Sequence, residues 1–317
     1  MARDNRIDTL KGILIVLVVL GHVITAIDNE NIFNHAVMGL IYVFHMPLFI
    51  LISGYLTKNP ETQSSRDLWR GVFNLFISLI IFQFIYSIVR YSVTGISIWT
   101  TMKNFPYGIL WYLMCLIYWR IIFYYTPKAI RNNHWLHLGI ALTISILCGL
   151  SHLGHLLSIQ RAMNFYFFFL LGYYYRQGVL NHQWWRNNAL HLITAIILLP
   201  VIFLLFPRCG NVLNGADHYP LTGIPQKMLI LMCSTAMTIL VFNVVHDQKH
   251  FRAIGKDSLF YYLYHIIFIS LVRPVALEQG WPHTLPFCLL YTIIIMAILF
   301  VMSKISLFRK LIRPFKL

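Results

Sequence analysis

Lys11 and His22 stand eleven positions apart in a run whose remaining members, from Gly12 to Gly21, carry no polar side chain. An imidazole is the side chain best suited to take a proton from an attacking hydroxyl near neutral pH. Two further histidines sit in comparable surroundings. His45 lies in Phe44-His-Met-Pro-Leu-Phe-Ile-Leu-Ile-Ser-Gly-Tyr55, and His265 ends Ser258-Leu-Phe-Tyr-Tyr-Leu-Tyr-His265. Three imidazoles at overlapping depth, with cationic residues between them and the cytoplasm, suggest a polar cavity. A hydrogen-bonded network between helices is the plainer reading. Arg120 and Arg161 are equally out of place, and Arg161 also reads as an interfacial anchor.

The elements that must position these residues are membrane helices. Hydrophobic residues make up 58% of the 317 positions and charged residues 11%, too little charge to cover a water-soluble protein of this size, where about 25% is usual. Apolar stretches near the ~20 residues that span a bilayer fall at 12–28, 38–57, 71–91, 107–125, 135–153, 162–179, 189–206, 225–246, 258–273 and 286–303. The fold class is therefore all-α: a polytopic integral membrane helical bundle of about ten transmembrane helices. Short loops, with no linker or low-complexity tract, make 1–317 one membrane-embedded domain.

Lys and Arg set the orientation, because they are retained on the cytoplasmic side. With both termini cytoplasmic, the outer side receives only Arg90, Lys103, Arg161, Arg208, Lys227 and Arg273. The net charge of +15 is then topological and, being dispersed among loops, excludes a nucleic-acid partner. The first span is expected to be retained rather than cleaved as a signal peptide: Asp4 and Asp8 interrupt its basic flank and Ile24 occupies a small-residue position. Cys115, Cys148, Cys209, Cys233 and Cys288 show no paired spacing, so neither a disulfide framework nor a metal site is expected.

Helical geometry refines the site. Eleven residues make three turns plus about 20°, so Lys11 and His22 share a face, with Asp8 near the same stripe and His22 about 16 Å further along the axis. Counted from the inner ends of their spans, His45 is about 18 Å deep and His265 about 11 Å. His22 and His45, on consecutive helices, are expected to approach each other, and Pro47 can free backbone carbonyls beside His45. Ser53-Gly54 reads mainly as close helix packing, with a nucleophilic serine as the alternative. Asp257 or Ser258 is a helix cap. His152 and His155 read as solvated loop residues.

These segments together resemble acyltransferase family 3, particularly its branch similar to fucose 4-O-acetylases. The resemblance rests on Arg6-Ile-Asp-Thr-Leu-Lys-Gly12, the basic residue-x10-His spacing, Phe44-His-Met-Pro-Leu-Phe49 and Ser53-Gly-Tyr55. Leu110-Trp-Tyr-Leu113, Phe168-Phe-Leu-Leu-Gly172 and Ile254-Gly-Lys-Asp-Ser258 through His265 continue it in order. Many members have Arg where Lys11 stands; Lys keeps the charge and loses the bidentate fork. Some relatives append an extracytoplasmic hydrolase-like domain. This chain ends shortly after its last span and is expected to act alone or with a separate partner.

The resemblance implies an integral-membrane O-acyltransferase. It would move an acyl group, most often acetyl, from cytosolic acyl-CoA to a hydroxyl of a cell-envelope glycan or related acceptor, in a bacterial cytoplasmic membrane. Acetyl-CoA would be a donor substrate rather than a permanently bound cofactor. His22 is the candidate base; Lys11, His45, His265, Trp111 and Arg161 are candidates for positioning or stabilising the developing oxyanion. Direct transfer and an acyl-histidine intermediate both remain open. Arg66 and Arg70, one turn apart, and nearby Lys58 would hold the phosphates of coenzyme A, or serve topology alone. A transporter or flippase for a glycan or acyl donor is the alternative, since midplane polar residues suit it too. A non-catalytic assembly subunit is a third reading.

Overall fold

Backbone amides within hydrocarbon must be paired inside their own segment, and the chain meets that demand with helices; no strand occurs among the described residues. The computed structural model describes residues 4–27, 32–180, 183–200, 215–282 and 284–312. Arg208, Cys209 and the end of the expected 189–206 span lie outside the described residues.

In chain order the helices are α1 (Asn5–Ile27), α2 (Ile32–Tyr55), α3 (Ser65–Thr94), α4 (Ile98–Lys103), α5 (Trp111–Tyr125), α6 (Lys128–Asn132), α7 (His134–Leu147), α8 (Ile159–Arg176) and α9 (Gln183–Arg186). Then follow α10 (Asn188–Pro200), α11 (Ile224–Val244), α12 (Lys249–Lys256), α13 (Ser258–Glu278), α14 (Leu285–Met302) and α15 (Ser306–Ile312). Seven helical stretches among the described residues are long and apolar enough to cross a membrane: those of α1, α2, α3, α11, α13 and α14, and the stretch Ile98–Tyr125 that ends in α5. The expected spans at 135–153, 162–179 and 189–206 fall on α7, α8 and α10. α7 and the described part of α10 are shorter, and Gln160, Arg161 and Asn164 dilute the apolar run of α8.

Contacts within the chain form two compact units. The first comprises Met1–Ile41, Asn74–Leu110 and Val245–Leu317, and the second Tyr42–Phe73 and Trp111–Val244.

In the first unit α1 lies against α12, α13 and α14. Its Leu10, Leu14, Ile15, Val19 and Val23 are wholly buried. Gly12 and Gly255 make the α1–α12 crossing possible: a Cβ on Gly12 would run into the Phe251 carbonyl, and one on Gly255 into that of Asp8. Thr9 pins the same crossing, donating to Asp247 Oδ1 at 3.1 Å and accepting from the Gln248 amide at 3.1 Å. Asp257 precedes α13 but does not cap it by its side chain; its carboxylate pairs with Arg309 at 2.7 Å. A guanidinium within reach outcompetes a capping amide for that oxygen.

In the second unit α8 packs on α5 and α7. Trp119 donates from α5 to the Ala162 carbonyl at 2.8 Å. The second half of α2 meets α8 through another reciprocal glycine pair: a Cβ on Gly54 would meet the Phe169 carbonyl, and one on Gly172 that of Leu51. The reading of Ser53-Gly54 as a packing motif thus holds for Gly54. Ser53 donates to the Phe49 carbonyl at 2.9 Å, so at 2.6 Å Tyr112 is the donor to Ser53. No imidazole is hydrogen-bonded to Ser53 among the described residues. Lys227, expected among the outer-side charges, is instead buried and donates to Asn164 Oδ1. Hydrogen bonding to an amide oxygen inside the unit replaces hydration. The four described cysteines are free and buried, and no group of three or more potential metal ligands occurs among the described residues.

Candidate functional site

The residue that meets His22 is His265. Their ring centroids are 5.3 Å apart and the planes are tilted by 37°. Both belong to the first unit, where α1 packs directly on α13. His265 is completely buried and His22 partly so. Sequence reading placed both histidines inside spans but paired His22 with His45, on the argument that consecutive helices are neighbours. His45 belongs to the second unit. There it is buried and packs edge-on against Tyr42, centroids 4.9 Å apart.

The protons of the His22–His265 pair can be assigned in part. His265 Nδ1 lies 3.0 Å from the Tyr261 carbonyl, one turn earlier in α13. A carbonyl can only accept, so Nδ1 carries the hydrogen and Nε2 presents a lone pair. That Nε2 is buried and has no hydrogen-bond partner among the described residues, an arrangement that calls for an explanation beyond packing. The ring of His22 makes no hydrogen bond to a described residue. Tyr262 adds a third ring, 6.1 Å from His265. The three together form a line of rings inside the bundle with unused hydrogen-bonding capacity on two imidazoles.

Lys11 does not reach this pair. Its ammonium lies 2.8 Å from Asp8, one turn away, and both side chains are largely buried. The shared helical face of Lys11 and His22 therefore carries two separate features about 16 Å apart along α1: an ion pair at the crossing with α12, and the imidazole.

Trp111 and Arg161, chosen from separate segments, come together in the second unit. The Arg161 guanidinium stands 5.1 Å over the Trp111 ring, and Trp111 stacks on Phe165 at 5.6 Å. A cation held on an aromatic face is fixed in place, which suits a positioning role better than a free interfacial anchor.

Of the three donor-side candidates, Lys58 lines a cleft of about 210 Å³ in the second unit with Asp67, Gly71 and Arg120. Arg66 and Arg70 are exposed on the first turns of α3, outside that lining. Arg120 is the residue that sequence reading left unassigned. Its guanidinium sits beside Gly71, 3.5 Å from where a Cβ there would be. Its signal was already present as a charge inside a span. His152 and His155 are exposed as expected, and His152 stacks on His218 with centroids 4.0 Å apart.

Comparison with known proteins agrees with this architecture. A family model described as an acyltransferase domain, that of acyltransferase 3, matches residues 4–304. A 66-residue stretch is 44% identical to the nodulation protein NolL of Sinorhizobium fredii and 39% identical to the NolL of Mesorhizobium japonicum. Each match spans 20% of this chain and 18% of the relative. No solved structure matches. From residue 4 to residue 304 the chain belongs to the acyltransferase 3 family, as a multi-pass, all-helical membrane protein.

Proposed function

We propose that the protein is an integral-membrane O-acyltransferase that moves an acyl group, most often acetyl, from acyl-CoA to a hydroxyl of an envelope glycan. The observation that carries this reading is the His22–His265 pair inside the bundle of an acyltransferase family member. His22 takes the hydroxyl proton as the oxygen attacks the thioester carbonyl; the C–O bond forms, the C–S bond breaks and coenzyme A departs. The unpartnered Nε2 of His265 supplies an acceptor that can hold the His22 ring, or the incoming hydroxyl, in position. Removing the proton during attack is worth about 10²–10⁴-fold. Holding the hydroxyl in near-attack geometry contributes further.

Cations at the other end of the spans support a cytosolic donor. Lys58, Arg66 and Arg70 offer charge-assisted hydrogen bonds to the phosphates of coenzyme A, with Lys58 and Arg120 lining a cleft. Coenzyme A is too polar to cross, so its pantetheine arm enters the bundle from that side. The membrane is the bacterial cytoplasmic membrane on this reading.

The test is purified protein in liposomes with radiolabelled acetyl-CoA and a panel of envelope glycans, without any ion gradient. Label transferred to a glycan, with stoichiometric release of coenzyme A, is the expected result. Gradient-dependent movement of unmodified glycan across the bilayer, with no coenzyme A released, would replace the enzyme by a transporter.

A further inference from the structure

A cleft of about 430 Å³ opens in the first unit between the last turns of α3 and α13, with Tyr107, Gly108 and Ile109 also in its lining. Two of its lining residues are arginines. Arg90 lies four residues before the end of α3, and Arg273 five before the end of α13. Val89, Val93, Ile266 and Ile267 add apolar side chains to the same lining.

Neither guanidinium is spent. Arg90 stands 5.0 Å over the Tyr107 ring and makes one long hydrogen bond, 3.4 Å, to Thr101 Oγ1. Arg273 donates through Nε to the Ala26 carbonyl at 3.2 Å. Neither pairs with a carboxylate among the described residues. Each guanidinium has five N–H donors, so most of them have no acceptor among the described residues. The scaffold is firm: Tyr86 ties α3 to α13 through the Leu263 carbonyl at 2.6 Å. Gln83 holds the connection after α3 through the Thr101 carbonyl at 2.9 Å and the Tyr107 amide at 2.8 Å.

Two cations at the ends of membrane helices, in a cleft with apolar lining, complement a molecule that is anionic at its head and apolar behind it. Helix ends lie at the interfacial depth where lipid phosphates lie. A planar, many-donor guanidinium suits phosphate oxygens. We propose that this cleft binds a phosphate-headed lipid, the phosphate between Arg90 and Arg273 and the chain along Val89, Val93, Ile266 and Ile267.

The consequence for the reaction rests on the O-acyltransferase reading. The carbonyl of Ile109, a lining residue of the cleft, accepts a hydrogen bond from the Tyr262 hydroxyl, and the Tyr262 ring lies 6.1 Å from His265. A glycan carried on a lipid phosphate and tethered here is concentrated beside the rings of Tyr262 and His265, the latter in contact with His22. The site serves the acceptor carrier, with Arg90 near the opposite end of α3 from Arg66 and Arg70.

Lipid binding is measured on the full chain in detergent by native mass spectrometry, with no acyl-CoA present. Undecaprenyl phosphate and dioleoyl phosphatidate are the two phosphate-headed probes, and undecaprenol and dioleoylglycerol the neutral ones. A phosphate-headed probe is expected to bind on the order of tenfold more tightly than its neutral counterpart, the scale of one charge-assisted hydrogen bond. The difference should vanish in R90Q/R273Q and persist in R90K/R273K. The stronger of the two phosphate-headed probes identifies the source, a polyprenyl carrier or a bilayer phospholipid. Equal binding of neutral and phosphate-headed probes, or an unchanged preference in R90Q/R273Q, overturns the proposal. Should R90Q/R273Q fail to fold, a diazirine-tailed polyprenyl phosphate decides on the wild-type protein: labelling of peptides holding 89–93 and 266–277 supports the site, and labelling confined elsewhere removes it. Because the readout contains no donor, failure of acyl transfer and failure of this site are separate results.

Discussion

At the scale of single residues, the two imidazoles of the first unit differ in what they can do. His265 is fixed by the Tyr261 carbonyl and offers only its Nε2 lone pair. His22 has both nitrogens uncommitted among the described residues, so it can accept a proton at one and be held at the other. This asymmetry favours His22 over His265 as the proposed base. A His22→Gln variant keeps a hydrogen-bonding side chain of similar reach but cannot shuttle a proton. Its turnover at saturating donor and acceptor should fall by about 10²–10⁴-fold, with membrane insertion and detergent-solubilised melting unchanged. Near-normal turnover would reduce His22 to a packing partner of His265.

At the scale of elements, the least forgiving contacts are backbone on backbone. Interhelical hydrogen bonds in membranes average only about 0.6 kcal/mol, so losing one is a modest perturbation. A methyl forced into a packed crossing typically costs about 1–3 kcal/mol. Gly12 and Gly255 face carbonyl groups that cannot rotate away. Gly139, in the middle of α7, has open space where its Cβ would be. The Ala substitutions therefore separate packing from helix propensity. Gly12→Ala and Gly255→Ala should each lower the thermal midpoint of the purified protein. Gly139→Ala should leave it unchanged or raise it, since Ala gains up to about 1 kcal/mol over Gly within a helix. Equal midpoints for Gly12→Ala and Gly139→Ala would show that α1 and α12 separate freely. Two blocks of the sequence that carry the family resemblance acquire a physical reason here. Arg6 to Gly12 and Ile254 to Ser258 are two sides of one crossing.

At the scale of the whole molecule, contacts within each unit join connections that charge bias assigns to one side. In the second unit Glu61, after α2, meets Lys128 and Arg131, after α5, at 3.2 and 3.9 Å. In the first, Thr9 near the start of the chain and Arg309 near its end both bond to the segment between α11 and α13, through Asp247 and Asp257. A shared anchorage of this kind is what the expected even number of crossings requires. In a background with the native cysteines replaced, Thr62→Cys, Asn132→Cys, Lys249→Cys and Lys310→Cys should react only with reagents that enter the cytoplasm. Ser97→Cys, His155→Cys, His218→Cys and Gln279→Cys should react with an impermeant maleimide in intact cells. Reversed labelling would invert the molecule and move the coenzyme A entrance to the wrong compartment.

The sequence by itself determined the solvent, the secondary structure and the residues worth watching. Those depend on local composition: runs of apolar side chains leave helix as the only way to pair the backbone in lipid, and a histidine or arginine within such a run is conspicuous without any knowledge of its neighbours. The ordered blocks around Lys11, His22, His45 and His265 likewise carried the family before any contact was known. Partnership was not legible, because it depends on which helix faces meet. Chain adjacency paired His22 with His45, whereas packing of α1 on α13 pairs it with His265, more than two hundred residues away. Trp111 and Arg161 were chosen separately and became one cation-on-ring contact only through the packing of α5 on α8. Lys227 read only as one of the outer-side charges, and its burial against Asn164 was not legible. The cleft of Arg90 and Arg273 joins helices separated by most of the chain. Periodicity and composition act over a turn or two of helix, whereas a site is made by long-range contacts that only the tertiary structure decides.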